Sequence, residues 1–153
     1  GIVGTFYNQV LFADFELEAH RLVEQDQPIT SEVLSGIYAR LLNEYWGDAL
    51  SPDPRAQHTW ARIPHFFQSP YYVYQYATCF ASTAKIMEEI NSDDPVTRKA
   101  AVDRYLQLLQ SGGSDHPMTL LQKAGVDLSK PETVRAVSSQ LNGLVDKLEG
   151  ELA

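Results

Sequence analysis

Cysteine is nearly absent from this chain. Cys79 is the single one among 153 residues, which excludes an intrachain disulfide and points to a reducing, cytoplasmic compartment. Positive charge is also scarce, with 12 Lys and Arg against 20 Asp and Glu, a net charge of −8 and an isoelectric point near 4.8. Phosphate binding needs clustered Lys and Arg, so nucleic acid is not an expected partner. No run approaches the ~18 consecutive apolar residues of a membrane span, and no membrane is expected as a partner. Alternating apolar and polar stretches of strand length are missing, and so is any internal repeat. The chain opens Gly1-Ile-Val-Gly-Thr without an initiator Met and runs straight into helical pattern. That reads as the interior of something longer, so the lack of a signal peptide says little about the parent protein.

What remains is enough for one domain with a real core, and its composition, 44% apolar and 21% charged, is ordinary for a globular protein. Residues 1–153 read as a single all-α segment. Residues 5–25 place Phe6, Val10, Ala13, Leu17 and Leu22 near helical spacing, with Phe12, Phe15 and Ala19 broadening the stripe. Gln27-Pro28 ends it. Thr30 or Ser31 caps a second helix whose apolar face is Val33, Leu34, Ile37, Leu41, Leu42 and Tyr45, and which Gly47 ends. Residues 47–57, with Asp48, Ser51, Pro52, Asp53 and Pro54, read as a loop, and residues 58–70 as short and irregular. Asp94-Pro95 opens a helix lined by Val102, Tyr105, Leu106 and Leu109, broken by Ser111-Gly112-Gly113-Ser114. A short helix covers residues 117–124 with a Schellman ending at Gly125-Val126. Ser129-Lys-Pro-Glu132 has capping-box spacing and opens a last helix through Leu148.

The densest feature is His65-Phe-Phe-Gln-Ser-Pro-Tyr71-Tyr72-Val-Tyr74-Gln-Tyr76, which holds four of the eight tyrosines. Pro70 suits the first turn of a helix running to about Asn91. On such a helix Tyr71 and Tyr74 share a side within roughly 60°, continued by Gln75, Thr78 and Ser82. Tyr72, Val73, Tyr76, Phe80 and Met87 then face a core. Phenols and an imidazole at a helix start suit donation to a carbonyl or oxyanion. The same spacing is also common in plain core packing, and spacing alone leaves both readings open, packing being the commoner.

Other chemistry is thin. The histidines are His20, His58, His65 and His116, and none begins an HExxH. Glu16, His20 and Glu24 share a helix face, which reads as a solvated ion-pair face rather than a metal site. Cys79 reads as an inert buried thiol. Gly112-Gly113 lacks the GxxxxGK(S/T) framework of a phosphate loop and reads as a turn. His116 reads as a helix-start residue. No metal ligand set is found in the chain.

The order of segments, however, resembles a known family. Phe12-Ala-Asp-Phe-Glu16 is similar to the FAEFE segment of oligoendopeptidase F, a zinc metallopeptidase related to thimet oligopeptidase. Trp60-Ala-Arg-Ile-Pro-His65-Phe-Phe, Pro70-Tyr-Tyr-Val-Tyr-Gln-Tyr-Ala-Thr78, Ser111-Gly-Gly-Ser-Asp115 and Lys123-Ala-Gly-Val-Asp127 resemble that family's C-terminal segments, in the same order. The resemblance covers essentially the whole chain. It implies the C-terminal helical part of a zinc endopeptidase that cleaves short peptides in a deep channel, with zinc held by HExxH and a further Glu upstream. By position it implies that His65, Tyr71 and Tyr74 contact the peptide and the tetrahedral intermediate, Tyr74 donating to the oxyanion. It also makes Gly112 and Gly113 candidate substrate-lining residues, against a purely structural turn. The partners implied are short peptides and the missing N-terminal part of the same enzyme, and the isolated chain is then inactive. Cys79 stands where a small residue such as Gly is expected. Two other readings compete: a non-catalytic helical module that binds peptide or protein, and a paralogue that kept the fold and lost the metal.

Overall fold

A computed structural model describes residues 1–49 and 53–153. The expected loop positions Ser51 and Pro52 lie outside the described residues. The architecture is all-α, with no strand among the described residues. The chain divides into two compact units, Gly1–Ala77 and Thr78–Ala153.

In the first unit a short π-helical turn, Val3–Tyr7, leads into α1, Asn8–Glu24. The second helix, α2, covers Ser31–Trp46. Thr30 caps it, its side-chain oxygen accepting the Val33 N–H at 3.3 Å. Gly47, at φ +48°, ends it in a conformation that L side chains rarely adopt. The flanking segments contain 3₁₀ turns at Gly47–Ala49 and Ala56–Arg62 and a single α-helical turn, α3, at His65–Gln68. The core is Leu11, Phe15, Ile37, Tyr38 and Leu41, with Phe12, Trp60 and Phe66 packed against it. Phe15 is its centre: its ring lies 5.1 Å from Phe66, 5.5 Å from Tyr38 and 6.2 Å from Trp60. The expected stripe of α1 holds at Phe6 and Phe15, which are buried, and at Phe12 and Leu22, which the structure buries in part, and fails at Leu17. Leu11 and Phe15 are buried whereas Leu17 is exposed, because aromatic partners from α2 and the segments after it fix which side turns inward.

One polar contact is sealed into this core. Ser35 is buried; its Oγ accepts the Trp60 indole N–H at 3.2 Å and lies 2.9 Å from His58 Nδ1. Burial also pushes the Tyr38 phenol up to about 12, partly offset by Arg62.

The second unit carries most of α4, Tyr74–Ile90, followed by α5, Pro95–Ser111, α6, Pro117–Lys123, and α7, Pro131–Leu152. Small residues turn inward here: Ala81, Ala84, Ala101, Ala124 and Ala136 are all buried. Tyr105, Leu106 and Leu109, expected to line α5, are exposed, and Ala101 is its buried residue. The expected break at Gly112 is present, at φ +52°. The Schellman ending of α6 is present in full: the Val126 N–H donates to Leu121 O at 2.9 Å, the Gly125 N–H to Gln122 O at 3.0 Å, and Gly125 sits at φ +90°. Arg104 Nε lies 3.2 Å from where a Cβ on Gly125 would stand, and its guanidinium pairs with Glu89.

The capping box expected at Ser129 does not form. Ser129 instead donates from N and Oγ to the Asp127 carboxylate, at 3.0 and 2.6 Å, while Thr133 Oγ1 donates to Asp127 O. Asp outcompetes the box because its carboxylate serves both Ser129 donors at once.

Two measurements check this packing. Ser35→Ala leaves the Trp60 N–H without its acceptor and should lower urea-unfolding stability by ~1–3 kcal/mol; an unchanged midpoint would show that the indole is otherwise satisfied. Asp94 caps α5, accepting from Val96 N, Thr97 N and Thr97 Oγ1, and its carboxyl is held below the ordinary 3.8, first by the Thr97 hydroxyl. A lowered folded-state value contributes stability above pH 3.8 that is lost as pH falls through the lower folded value. Asp94→Asn, which keeps an acceptor and cannot titrate, should therefore flatten the acid limb of the stability curve.

Candidate active site

All the aromatic site candidates lie in the first unit. The expected helix start at Pro70 is not observed: α4 begins at Tyr74. Residues 69–72 form a tight turn, closed by the Tyr72 N–H donating to Ser69 O at 3.2 Å. Pro70 occupies its second position, and Tyr71 its third at φ +57°. Pro followed by positive φ is the pattern of a type II turn, whose third position ordinarily takes Gly. A tyrosine there costs ~1–2 kcal/mol.

Something must hold it. The Tyr71 peptide N–H donates to Glu16 Oε1 at 2.8 Å, and Glu16, on α1, is only 3% exposed. The expected solvated face of Glu16, His20 and Glu24 is thus corrected: Glu24 is exposed, but Glu16 is a buried acceptor. His20 Nδ1 lies 2.7 Å from Glu16 O. A carbonyl only accepts, so Nδ1 carries the proton. The His20 ring lies 4.6 Å from that of Tyr71, inclined by 35°.

His65 belongs to a different cluster. Its ring stacks on Tyr72, 5.5 Å away and 9° from parallel, and meets Tyr76 edge-on at 6.0 Å. Tyr72 and Tyr76 are themselves edge-on at 5.4 Å. Desolvation, and then the Tyr72 hydroxyl, holds the Tyr76 phenol above its ordinary range. Tyr72, Tyr76 and Met87, expected in the core, are all partly exposed, and Val73 alone of the expected group is fully buried. Val73, Ala77, Ala81 and Ala84 form the buried line instead. Cys79, expected to be buried, is exposed.

Tyr71 and Tyr74 present themselves to solvent, at 42% and 47% exposure. Beside Tyr71, a cleft of about 240 Å³ is lined by Glu16, His20, Trp60, Phe66, Phe67 and other apolar side chains. The structure thus gathers two groups of three, Tyr71 with Glu16 and His20, and His65 with Tyr72 and Tyr76. Gly112 and Gly113 form a turn in the second unit with open space where side chains would stand. Glu16 and His20 escaped a site reading because an acidic residue on an amphipathic helix looks like surface. Their signal was the buried Phe15 immediately before Glu16.

Left-handed strain at Tyr71 gives a direct check. Tyr71→Gly should unfold in urea with about 1 kcal/mol more stability than Tyr71→Ala, because only Gly adopts positive φ freely. Equal stabilities would mean that the turn relaxes once the phenol is removed.

Comparison with known proteins assigns the chain. The model of Peptidase family M3 matches residues 2–138. Oligopeptidase PepF of Bacillus subtilis is 37% identical over 149 residues, which is 97% of this chain and 22% of the relative. Group B oligopeptidase PepB of Streptococcus agalactiae is 37% identical over 153 residues, all of this chain and 25% of the relative. An oligoendopeptidase F homolog of Borreliella burgdorferi is 38% identical over 133 residues, 87% of this chain and 22% of the relative. The chain therefore spans about a quarter of the length of these curated relatives. No solved structure gives a significant match. With a family model spanning nearly its whole length and its described backbone helical throughout its regular elements, this chain belongs to Peptidase family M3.

Proposed function

We propose that this chain is the C-terminal part of a cytoplasmic zinc endopeptidase that hydrolyses short peptides, both units belonging to one catalytic domain. On this reading it supplies the substrate-side wall and not the metal. Among the described residues no three His, Cys, Asp or Glu side chains gather to hold a metal ion. A zinc site does not fit these residues, and the metal is assigned to the remainder of the parent. The isolated chain then hydrolyses no peptide. Among the described residues no helix is long and apolar enough to cross a membrane.

The observation that carries the reading is Tyr74. It is the first residue of α4, about half exposed, and no other group among the described residues engages its hydroxyl. A phenol so placed is free to donate to a developing oxyanion, an interaction typically worth ~2.7–4 kcal/mol. Tyr71 and His65 are assigned to orienting the peptide backbone. Gly112 and Gly113, which carry no side chains, are proposed to line the channel. The family match and the oligopeptidase names of the relatives support the peptide as substrate.

In the full-length parent, Tyr74→Phe should lower kcat by ~10²–10³ with KM for a short peptide nearly unchanged, since the lost bond is made in the transition state. Tyr45→Phe is the control: it loses a hydroxyl that donates to Asp14 at 3.2 Å and should affect stability alone. Equal, small effects of both on kcat, with zinc bound, would reduce Tyr74 to a surface residue.

A further inference from the structure

A carboxylate on the wall of an aromatic core is expensive unless it is used. Glu16 lines the cleft together with Phe15, Trp60 and Phe66 and is 3% exposed. Its side chain reaches 55 residues along the chain to one backbone donor, the Tyr71 N–H. That donor belongs to the only described non-glycine residue besides Asp26 with positive φ. Its main chain acts on the same residue by a second route: Glu16 O accepts a hydrogen bond from His20 Nδ1, and the His20 ring lies against the Tyr71 ring.

We infer that Glu16 is a positioning residue, holding the Tyr71 peptide N–H and so fixing both the 69–72 turn and the point at which α4 begins. This rests on the reading of Tyr71 and Tyr74 as substrate-facing phenols. The backbone of Tyr71 is clamped while its phenol stays exposed, and Tyr74 follows three residues later as the first residue of the helix. Without the acceptor, the left-handed turn loses the contact that offsets its strain. Residues 70–73 are then free to adopt the right-handed conformation that Pro70 at a helix start favours. Extending α4 backwards in this way would rotate Tyr71 and move Tyr74 off the helix terminus. A displacement of about 1 Å at a reacting centre costs on the order of 10²-fold in rate.

The test uses the full-length parent. Glu16→Met fills the volume and removes the acceptor; Glu16→Gln keeps a neutral one. Glu16→Met should lower kcat ~10²-fold with a smaller change in KM. Glu16→Gln should lose less than about tenfold. In a Tyr71→Phe/Tyr74→Phe background, Glu16→Met should cost little more, because the groups it positions are already gone. Hydrogen exchange supplies a readout apart from activity: the segment 69–76 should exchange faster in Glu16→Met and not in Glu16→Gln. Unchanged exchange overturns the inference, as does a Glu16→Gln variant as damaged as Glu16→Met or a full further loss in the double background. If Glu16→Met does not fold, Glu16→Asp, which keeps the charge and withdraws the acceptor, decides the matter: an unchanged kcat overturns the inference. If Tyr74→Phe leaves kcat intact while exchange responds to Glu16, the catalytic reading fails and the clamp stands.

Discussion

A single hydrogen bond, from the Tyr71 N–H to Glu16 Oε1, organises the candidate site. It joins the first helix to the turn before α4, and it settles a competition that local sequence leaves evenly poised. Pro70 is equally at home in the first turn of a helix and at the second position of a tight turn. A buried acceptor opposite the following N–H selects the turn. From that choice follows the helix start at Tyr74. A contact between residues far apart in sequence thus fixes where a helix begins.

This explains what was legible in the sequence and what was not. Features settled within a few residues were readable: the Thr30 and Asp94 caps, the Gly47 and Gly112 stops, and the Gly125-Val126 ending. Each depends on one side chain and the adjacent backbone. Features set by partners across the fold were misread. Leu17 looked like core and is exposed, because aromatic packing around Phe15 turned α1. Ser129 fails as a cap for a local reason: the Asp127 carboxylate, two residues before it, takes both its donors. Helical spacing relates the residues of a helix to one another, but which side turns inward is set by the elements packed against it.

The candidate site divides in the same way. The residue types were evident from the cluster of phenols beside His65, and the family resemblance singled out His65, Tyr71 and Tyr74. Their companions were not evident. His65 keeps company with Tyr72 and Tyr76, while Tyr71 keeps company with Glu16 and His20. Composition reports which groups are present, but only tertiary structure pairs an acidic residue of one helix with a peptide amide of a distant turn.

The exposed position of Cys79 has a practical consequence. It is the sole thiol of the chain and lies on α4 five residues beyond Tyr74. At 1.5 Å per residue that is about 7.5 Å along the axis, and roughly 140° around it. A fluorophore or spin label attached there would sit close enough to sense the surroundings of the helix start, yet point away from Tyr74. The exposed thiol thus gives the chain a built-in attachment point for a spectroscopic reporter.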